Sequence, residues 1–278
     1  MHNPDVLARF DVMVRLPYEH YVGHLGTESR RFRDVLANCD PATRVPSCPD
    51  WTAADLLWHL GAEVQDFWAW VVRHRPRHPR DGHREPPRPA AYDDLLALFD
   101  ERSEALVGAL RAADPADEAW SWAPEQTVGF TCRRQAHEAM IHRVDAELTV
   151  GTTSPLDPAL ATDGIDEVLG VMYGGGPDWG TFSGLPHHLR VDVTDTATAI
   201  WVQLGRFSGT DPDDGTVHDA DDIAVVPDPG GEPDAVVRGR SDELLLRLWR
   251  RGDGAGLHLA GDLEIVDHVR RILQHPIT

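Results

Sequence analysis

The sequence feature that most constrains the fold is an uninterrupted run of helix-forming residues from Cys132 to Leu148. The run contains neither proline nor glycine and is rich in alanine, glutamate and arginine, so it predicts one continuous helix. At about 100° per residue, Glu138 and His142 lie about 40° apart, one turn from each other on the same face. Asp145 continues this face on one side and Arg134 on the other. The helix therefore carries a stripe of ionisable side chains.

Glu138 and His142 are compatible with either a metal-binding pair or an ordinary ion pair. A carboxylate oxygen and a neutral imidazole are both common zinc ligands. A surface Glu–His pair, contributing roughly a few tenths of a kcal/mol, explains the same spacing. The H-E-x-x-H motif is excluded because His137 and His142 are five residues apart and diverge by about 140°. A metal site on this helix therefore needs a third ligand from elsewhere in the chain.

Composition limits the possible partners. At 278 residues the chain can form one large domain or two ordinary ones. A formal net charge of -20 argues against nucleic acid as a partner, since phosphate contacts need a basic face. All 26 basic residues are arginine, which excludes a lysine Schiff base and a P-loop lysine. No apolar run is long enough to span a bilayer, so we expect no membrane partner.

The cysteines and the first residues indicate a cytoplasmic protein. Cys39, Cys48 and Cys132 are scattered and odd in number, which argues against a disulfide framework. Residues 1–17 carry four charged side chains among their apolar ones and do not resemble a signal peptide.

The first part of the chain predicts a four-helix bundle. The four principal helices are predicted at residues 16–38, 52–71, 92–113 and 132–148, and a further helix at 158–173. The second begins with a capping-box pattern, Thr52-Ala-Ala-Asp55, and His59 lies at the edge of its apolar stripe. Residues 38–50 are predicted as a loop. The Arg- and Pro-rich segment 74–91 is predicted as an exposed connection, either disordered or a lid over the site.

The sequence pattern changes after Tyr173, where the helical periodicity ends. The remaining sequence predicts a small α+β domain. A Gly-rich linker is expected from Gly174 to Gly184, and an acidic turn region from Asp211 to Asp222. His187 and His188 are predicted to lie in a loop. Short strands are expected at 189–193, 199–204, 223–226, 235–237 and 257–260, and helices at 241–251, capped by Ser241, and at 263–274.

Several segments together resemble the mycothiol-dependent maleylpyruvate isomerase family. They are PSCPDWTAADLLWHLG (46–61), RRQAHEAMIHRVD (133–145), ATDGIDE (161–167), VRGRSDELLLRLW (237–249) and LAGD (259–262). The resemblance implies a DinB-like four-helix metal-binding bundle over residues 1–180. It also implies a small sterol-carrier-protein-like α+β domain over residues 181–278.

The resemblance also implies a divalent metal, usually zinc, held by His59, Glu138 and His142. Two histidines and one carboxylate leave a fourth position open, which is typical of catalytic zinc. In this family the thiol of mycothiol is the co-substrate, and a dication at the open position would favour its thiolate. Cys48 and Cys132 are alternative sulfur sources, although buried structural cysteines explain both.

Asp145 and Arg251 are the candidate catalytic residues. Asp145 either accepts a hydrogen bond from His142 or pairs with Arg143 or Arg134. Arg251 matches a family arginine and would clamp a substrate carboxylate, but a solvated arginine at a helix end fits as well.

These features predict a zinc-dependent, mycothiol-using S-transferase or isomerase that acts on a small electrophilic metabolite, as a monomer or homodimer. One alternative is a zinc–water hydrolase with Asp145, Glu63 or His137 as general base. Another is a non-catalytic stress protein that binds a metal or a small molecule.

Overall fold

The computed structural model describes residues 15–78 and 82–275, which form two compact units. The N-terminal unit spans Leu16–Leu156, and the C-terminal unit begins at Asp157. The sequence-based boundary lay at residue 180, whereas here the helix that begins at Pro158 packs with the C-terminal unit. Thr162 in this helix shares a hydrogen bond of 3.0 Å with Thr196, which ties it to the sheet domain.

The helical bundle expected in the N-terminal unit is confirmed within the described residues. Helix α1 is Tyr18–Leu36, α3 is Tyr92–Ala112 and α4 is Val128–Thr149. Helix α2 has three consecutive segments, Ala53–Trp58, His59–Asp66 and Phe67–His74. Large apolar side chains from the first three helices pack into one core: Phe32, Leu36, Leu56, Leu57, Leu60, Leu95, Leu96 and Phe99.

The start of α2 follows the predicted capping box. Thr52 Oγ1 accepts the backbone N–H of Asp55 at 3.2 Å, and Asp55 Oδ2 accepts the N–H of Thr52 at 2.9 Å. The middle segment, His59–Asp66, differs from the regular helix predicted, because it is wound as a wide π-helix. Such segments often mark functional positions, and His59 is the first residue of this one.

A short hairpin replaces the loop predicted before α2. Strand β1 (Arg44–Val45) pairs antiparallel with β2 (Cys48–Thr52), and Pro46 and Ser47 form the turn between them. Strands this short carry no alternating pattern, and the prolines in the segment argue against a strand. The hairpin could therefore be found only from the structure.

Helix α4 is buried around nearly its whole circumference. It begins four residues earlier than predicted, where Thr127 Oγ1 caps the backbone N–H of Phe130 at 3.0 Å. Its buried side chains include charged ones, such as Arg143 and Asp145. Neither α4 nor any other helix in the described ranges is both long enough and apolar enough to cross a membrane.

The described part of the connection between α2 and α3 is attached to α2. His83 Nε2 lies 3.1 Å from Asp66 Oδ2, and Arg88 donates to Asp55 Oδ1 at 2.7 Å. Residues 79–81 lie outside the described part. A role of this connection as a lid stays a prediction.

The C-terminal unit is α+β, as predicted. A five-stranded sheet in the order β5-β4-β3-β6-β7 is formed within the described residues, and only the β3–β6 pair among its neighbours is parallel. The strands are β3 (Gly180–Val193), β4 (Thr198–Thr210), β5 (Val217–Val226), β6 (Ala235–Gly239) and β7 (His258–Gly261). The helices are α5 (Pro158–Glu167, continued by the π segment Val168–Tyr173), α6 (Ser241–Leu248) and α7 (Leu263–Ile272).

Three local predictions in this unit were wrong. His187 and His188 lie within β3, at a register irregularity, because the Gly-rich segment continues directly into a long strand. Much of the predicted acidic turn, from Val217 onwards, is strand β5, whose carboxylates lie along an exposed sheet edge. Ser241 does not cap α6; its hydroxyl donates to Asp195 Oδ2 at 2.8 Å.

Candidate active site

The structure brings His59 from α2 together with His142 from α4. Their ring centroids are 5.1 Å apart and the ring planes are nearly perpendicular, at 78°. The two residues are 83 positions apart in the chain, so this contact depends on the packing of α2 against α4. His142 is almost completely buried, and His59 is partly accessible.

Glu138 completes this group from the same face of α4, as the helical spacing predicted. Its Oε2 lies 3.1 Å from His142 Nε2, and its Oε1 accepts a hydrogen bond from Arg134. Burial alone would raise the pKa of Glu138, but Arg134 and His142 outweigh burial and hold this pKa well below its usual range. The carboxylate is therefore ionised at neutral pH.

Asp145 contacts the other nitrogen of His142. The Asp145 carboxyl is fully buried, and its Oδ2 lies 3.0 Å from His142 Nδ1. Burial lowers the pKa of His142, but hydrogen bonds to Asp145 and Glu138 outweigh it and raise this pKa to about 9. Arg143, one alternative partner proposed for Asp145, instead pairs with Glu28 and Glu147, and Arg134 pairs with Glu138.

Glu63 has the same relationship to His59 as Asp145 has to His142. Its Oε2 lies 2.7 Å from His59 Nδ1, which leaves Nε2 as the nitrogen available to a metal. Burial and the neighbouring His142 lower the pKa of His59, despite the opposing effect of Glu63. His59 is therefore neutral at pH 7, the state in which imidazole binds metals.

Trp51 forms an aromatic wall beside both imidazoles. Its ring centroid lies 4.6 Å from that of His59 and 6.4 Å from that of His142. Trp51 belongs to strand β2, next to the capping residue of α2. The flat indole face limits water access to the two rings from this side.

Two pairwise distances among these side chains are compatible with a shared divalent cation. Two imidazoles on one tetrahedral zinc have ring centroids about 5 Å apart, and a nitrogen and an oxygen donor lie about 3.3 Å apart. The corresponding distances are 5.1 Å between the rings and 3.1 Å between His142 and Glu138. In the described part of the chain, however, no three His, Cys, Asp or Glu side chains already surround a common point. Glu138 and His142 instead form an ion pair with each other.

The remaining candidates are two buried residues of α4, His137 and Cys132, and one residue of the hairpin, Cys48. His137 is buried on another face of α4, with its ring 6.3 Å from that of Tyr21. Cys132 is buried, and burial raises the pKa of its thiol to about 12, so it is a poor source of thiolate. Cys48 is half-buried in the hairpin.

Arg251 belongs to the C-terminal unit. It follows α6, which ends at Leu248, three residues before the end predicted. Its Nη1 donates to the carbonyl of Trp249 at 2.7 Å, and its guanidinium lies 5.8 Å from the Trp249 ring. The role of Arg251 as a carboxylate clamp stays a prediction.

Sequence reasoning gave no role to Ser47 or Trp51, although both lie in the first family-like segment. Ser47 Oγ donates to Asp145 Oδ1 at 2.5 Å. For Trp51 the sequence offered one signal of a role, since it is a tryptophan in a proline-containing segment just before a strong helix start. It offered none for the pairing of Ser47 with a residue 98 positions away.

The class is that of two-unit proteins with a helical bundle followed by an α+β unit. In the bundle, α2 and α4 bring two histidines and a glutamate close together. Residues 22–147, most of the helical unit, match the family model described as the mycothiol maleylpyruvate isomerase N-terminal domain. The resemblance seen in the sequence motifs is thereby confirmed for this part of the chain.

Two solved structures share the fold of both units. The mycothiol-dependent maleylpyruvate isomerase and a histidine-to-alanine mutant of it have TM-scores of 0.54 and 0.57. Each is 14% identical to this chain and matches 88% of it and 93% of the other protein. At this level of identity the comparison establishes the fold alone. No curated protein has a sequence that matches this chain.

Proposed function

We propose that this protein is a metal-dependent enzyme that uses mycothiol to isomerise, or to form a thioether with, a small electrophilic metabolite. The observation that carries the proposal is that His142 lies close to both His59 and Glu138, at two pairwise spacings that are compatible with one cation. The domain family of residues 22–147 supports mycothiol as the thiol.

Three atoms would hold the cation: Nε2 of His59, Nε2 of His142 and Oε2 of Glu138. With three protein ligands a tetrahedral zinc retains one open position. When bound, the cation supplies a Lewis acid there, which lowers the pKa of an entering thiol and favours its thiolate.

The side chains around these ligands orient them and control access. Glu63 and Asp145 each accept a hydrogen bond from an Nδ1–H, which fixes the tautomer that leaves Nε2 as the donor atom. Arg134 holds the far oxygen of Glu138 and maintains its charge. Trp51 shields the imidazoles from water on one side.

Isomerisation would need no other co-reactant. The mycothiol thiolate adds to one carbon of an alkene conjugated with a carbonyl, and the π electrons move to the carbonyl oxygen. The former double bond then rotates as a single bond. Return of the electrons breaks the new C–S bond and releases the trans alkene and the thiolate. If the enolate carbon takes a proton from solvent instead, the thioether remains as the product. Arg251 is the proposed clamp for a substrate carboxylate.

The test combines metal analysis with a thiol-dependent assay. The purified protein should contain close to one divalent cation per chain, and His59→Ala should lose it. With mycothiol and maleylpyruvate, NMR should detect the trans isomer, or mass spectrometry a mycothiol conjugate. Reactions without mycothiol and with His59→Ala serve as controls. Equal turnover in either control would contradict the proposal, and a hydrolysis product formed without thiol would indicate a hydrolase.

A further inference from the structure

Ser47 connects the hairpin to the buried carboxylate of α4. It lies in the turn between β1 and β2, and its Oγ donates to Asp145 Oδ1 at 2.5 Å. This is a short hydrogen bond between a hydroxyl and an ionised acceptor, the stronger kind of hydrogen bond in proteins. The two residues come from distant parts of the sequence, so the contact is a product of the tertiary fold.

The Asp145 carboxyl receives hydrogen bonds on both of its oxygens. Oδ1 accepts from Ser47, and Oδ2 lies 3.0 Å from Nδ1 of His142. Because the two bonds are on different oxygens, the serine hydroxyl contributes to fixing the rotation of the carboxyl group about its Cβ–Cγ bond. That rotation determines where Oδ2 lies, and hence which orientation of the His142 ring it favours.

We propose that Ser47 is a positioning residue of the candidate metal site, acting on His142 through Asp145. The hydroxyl holds the carboxylate so that Nδ1 of His142 is bonded and Nε2 faces Glu138. Ser47 itself does not contact the reacting atoms. This inference rests on the proposed function and adds to it a residue that determines metal affinity.

The hairpin has the rigidity that this role requires. Its two ends are joined where Arg44 pairs with Thr52, and the backbone N–H of Ala53 donates to the carbonyl of Thr43 at 2.8 Å. Thr52 is also the capping residue of α2. The hairpin that carries Ser47 is thus fixed to the helix that supplies His59, and a supporting hydrogen bond is effective only from a fixed element.

A purely structural role for Ser47 predicts a different outcome. In that case the hydroxyl would only satisfy a buried carboxylate, and its removal would lower stability without changing the metal site. Ser29 offers a matched control in the same unit, because its buried hydroxyl accepts a hydrogen bond from Gln65 Nε2 at 2.9 Å. Ser29→Ala likewise removes a serine hydroxyl and its hydrogen bond in this unit, but that bond does not involve Asp145.

The first measurement is zinc affinity, by competition with a chromophoric chelator, for wild type, Ser47→Ala, Ser47→Thr and Ser29→Ala. Supporting groups behind metal ligands typically change metal affinity by about 10- to 100-fold. We expect Ser47→Ala to bind zinc about 10-fold more weakly. Ser47→Thr, which keeps the hydroxyl, should remain near wild type, and Ser29→Ala should bind zinc unchanged. Equal affinities for Ser47→Ala and wild type, or an equal loss in Ser29→Ala, would overturn the inference.

The second measurement uses the metal-free protein, so that it does not depend on the proposed function. In protein labelled with ¹⁵N-histidine, the Nδ1–H of His142 should give a downfield proton signal because it donates to a carboxylate. Ser47→Ala should shift or broaden this signal, whereas Ser29→Ala should leave it in place. If wild type binds no zinc, the proposed function fails and this signal alone decides the role of Ser47. An unchanged signal in Ser47→Ala would refute it.

Discussion

Nε2 of His142 lies 3.1 Å from Oε2 of Glu138, one helical turn away, so these two candidate metal ligands form an ion pair with each other. The sequence left open whether these residues form an ordinary ion pair or a metal site. The contact between them does not fully distinguish the two, because an ion pair and a metal site use the same atoms. What separates them is the third side chain. The ring centroid of His59 lies 5.1 Å from that of His142. An ordinary Glu–His ion pair requires no third side chain, whereas a metal site does.

The first prediction concerns pH. The pKa of His142 is raised to about 9 in the metal-free protein, so a cation must displace a proton from it at neutral pH. We therefore expect zinc affinity to rise about tenfold per pH unit between pH 7 and 8 and to level off above pH 9. Chelator competition at each pH measures this, with proton release in weakly buffered solution as a second readout. A flat profile would contradict a protonated His142.

The same shift has a consequence for the stability of the metal-free protein. The folded-state pKa of His142 lies above its unfolded value of 6.5. The stabilisation of the folded state by protonated His142 is therefore fully present below pH 6.5. That contribution is lost as the pH rises towards 9. Urea unfolding of wild type and His142→Gln at pH 6.5 and 9 should therefore give a smaller difference at the higher pH. A difference that grows with pH would mean that the sign is wrong.

The second prediction uses Trp51 as a reporter. Its indole lies against both imidazoles, so zinc binding should change its fluorescence. We expect zinc to alter the emission of the wild-type protein and to have much less effect on Trp51→Phe. Trp122→Phe is the matched control, since Trp122 is exposed and contacts Phe130 instead. If Trp122→Phe lost the response and Trp51→Phe kept it, the ligand assignment would need revision.

The third prediction concerns the buried ion pairs near the end of α4. Arg143 is completely buried, with Glu28 at 2.7 Å and Glu147 at 2.8 Å. Removing one partner of a buried pair leaves an uncompensated charge, which costs about 3 kcal/mol. Because Arg143 keeps Glu147 as a partner in Glu28→Gln, this variant should lower the free energy of unfolding by less, about 2 kcal/mol.

A surface pair provides the control for this measurement. Arg33 and Asp100 are 3.1 Å apart but far more exposed. Asp100→Asn should cost less than about 1 kcal/mol, since water screens exposed pairs. Denaturant unfolding of both variants gives the comparison, and equal losses would argue that burial of Arg143 has little effect.

The fourth prediction concerns Arg251. If its guanidinium clamps a substrate carboxylate, Arg251→Ala should raise KM by about tenfold or more, while zinc content stays at the wild-type level. Arg251→Lys should recover little, because lysine cannot donate two parallel hydrogen bonds. Arg247→Ala, on the exposed side of α6, is the control. Unchanged KM in Arg251→Ala would remove it from the site.

Local patterns in the sequence predicted those structural features that depend on residues close together in the chain. The capping box at Thr52 and Asp55 and the shared face of Glu138 and His142 follow from spacings of three and four residues. Periodicity also placed the principal helices. The meeting of His59 with His142 came from the family resemblance, since no local spacing can bring two helices together.

Interactions between distant segments could not be predicted. The bond between Ser47 and Asp145 depends on a hairpin whose strands are too short for an alternating pattern. The first part of strand β5, residues 217–222, was missed because its aspartates favour turns in isolation, whereas pairing with β4 extends them into the sheet. In both cases tertiary contacts override the local preference.

The π segment His59–Asp66 has a consequence for how α2 tolerates change in length. A π turn holds about one more residue than an α turn, so the segment behaves like an insertion that the helix has absorbed. Deleting one residue there would restore α-helical winding and leave Phe67–His74 close to its present orientation relative to Ala53–Trp58. A deletion within either flanking α segment would instead turn the residues beyond it by about 100°. The π segment is therefore the part of α2 that can lose one residue without misaligning the apolar side chains on its two sides.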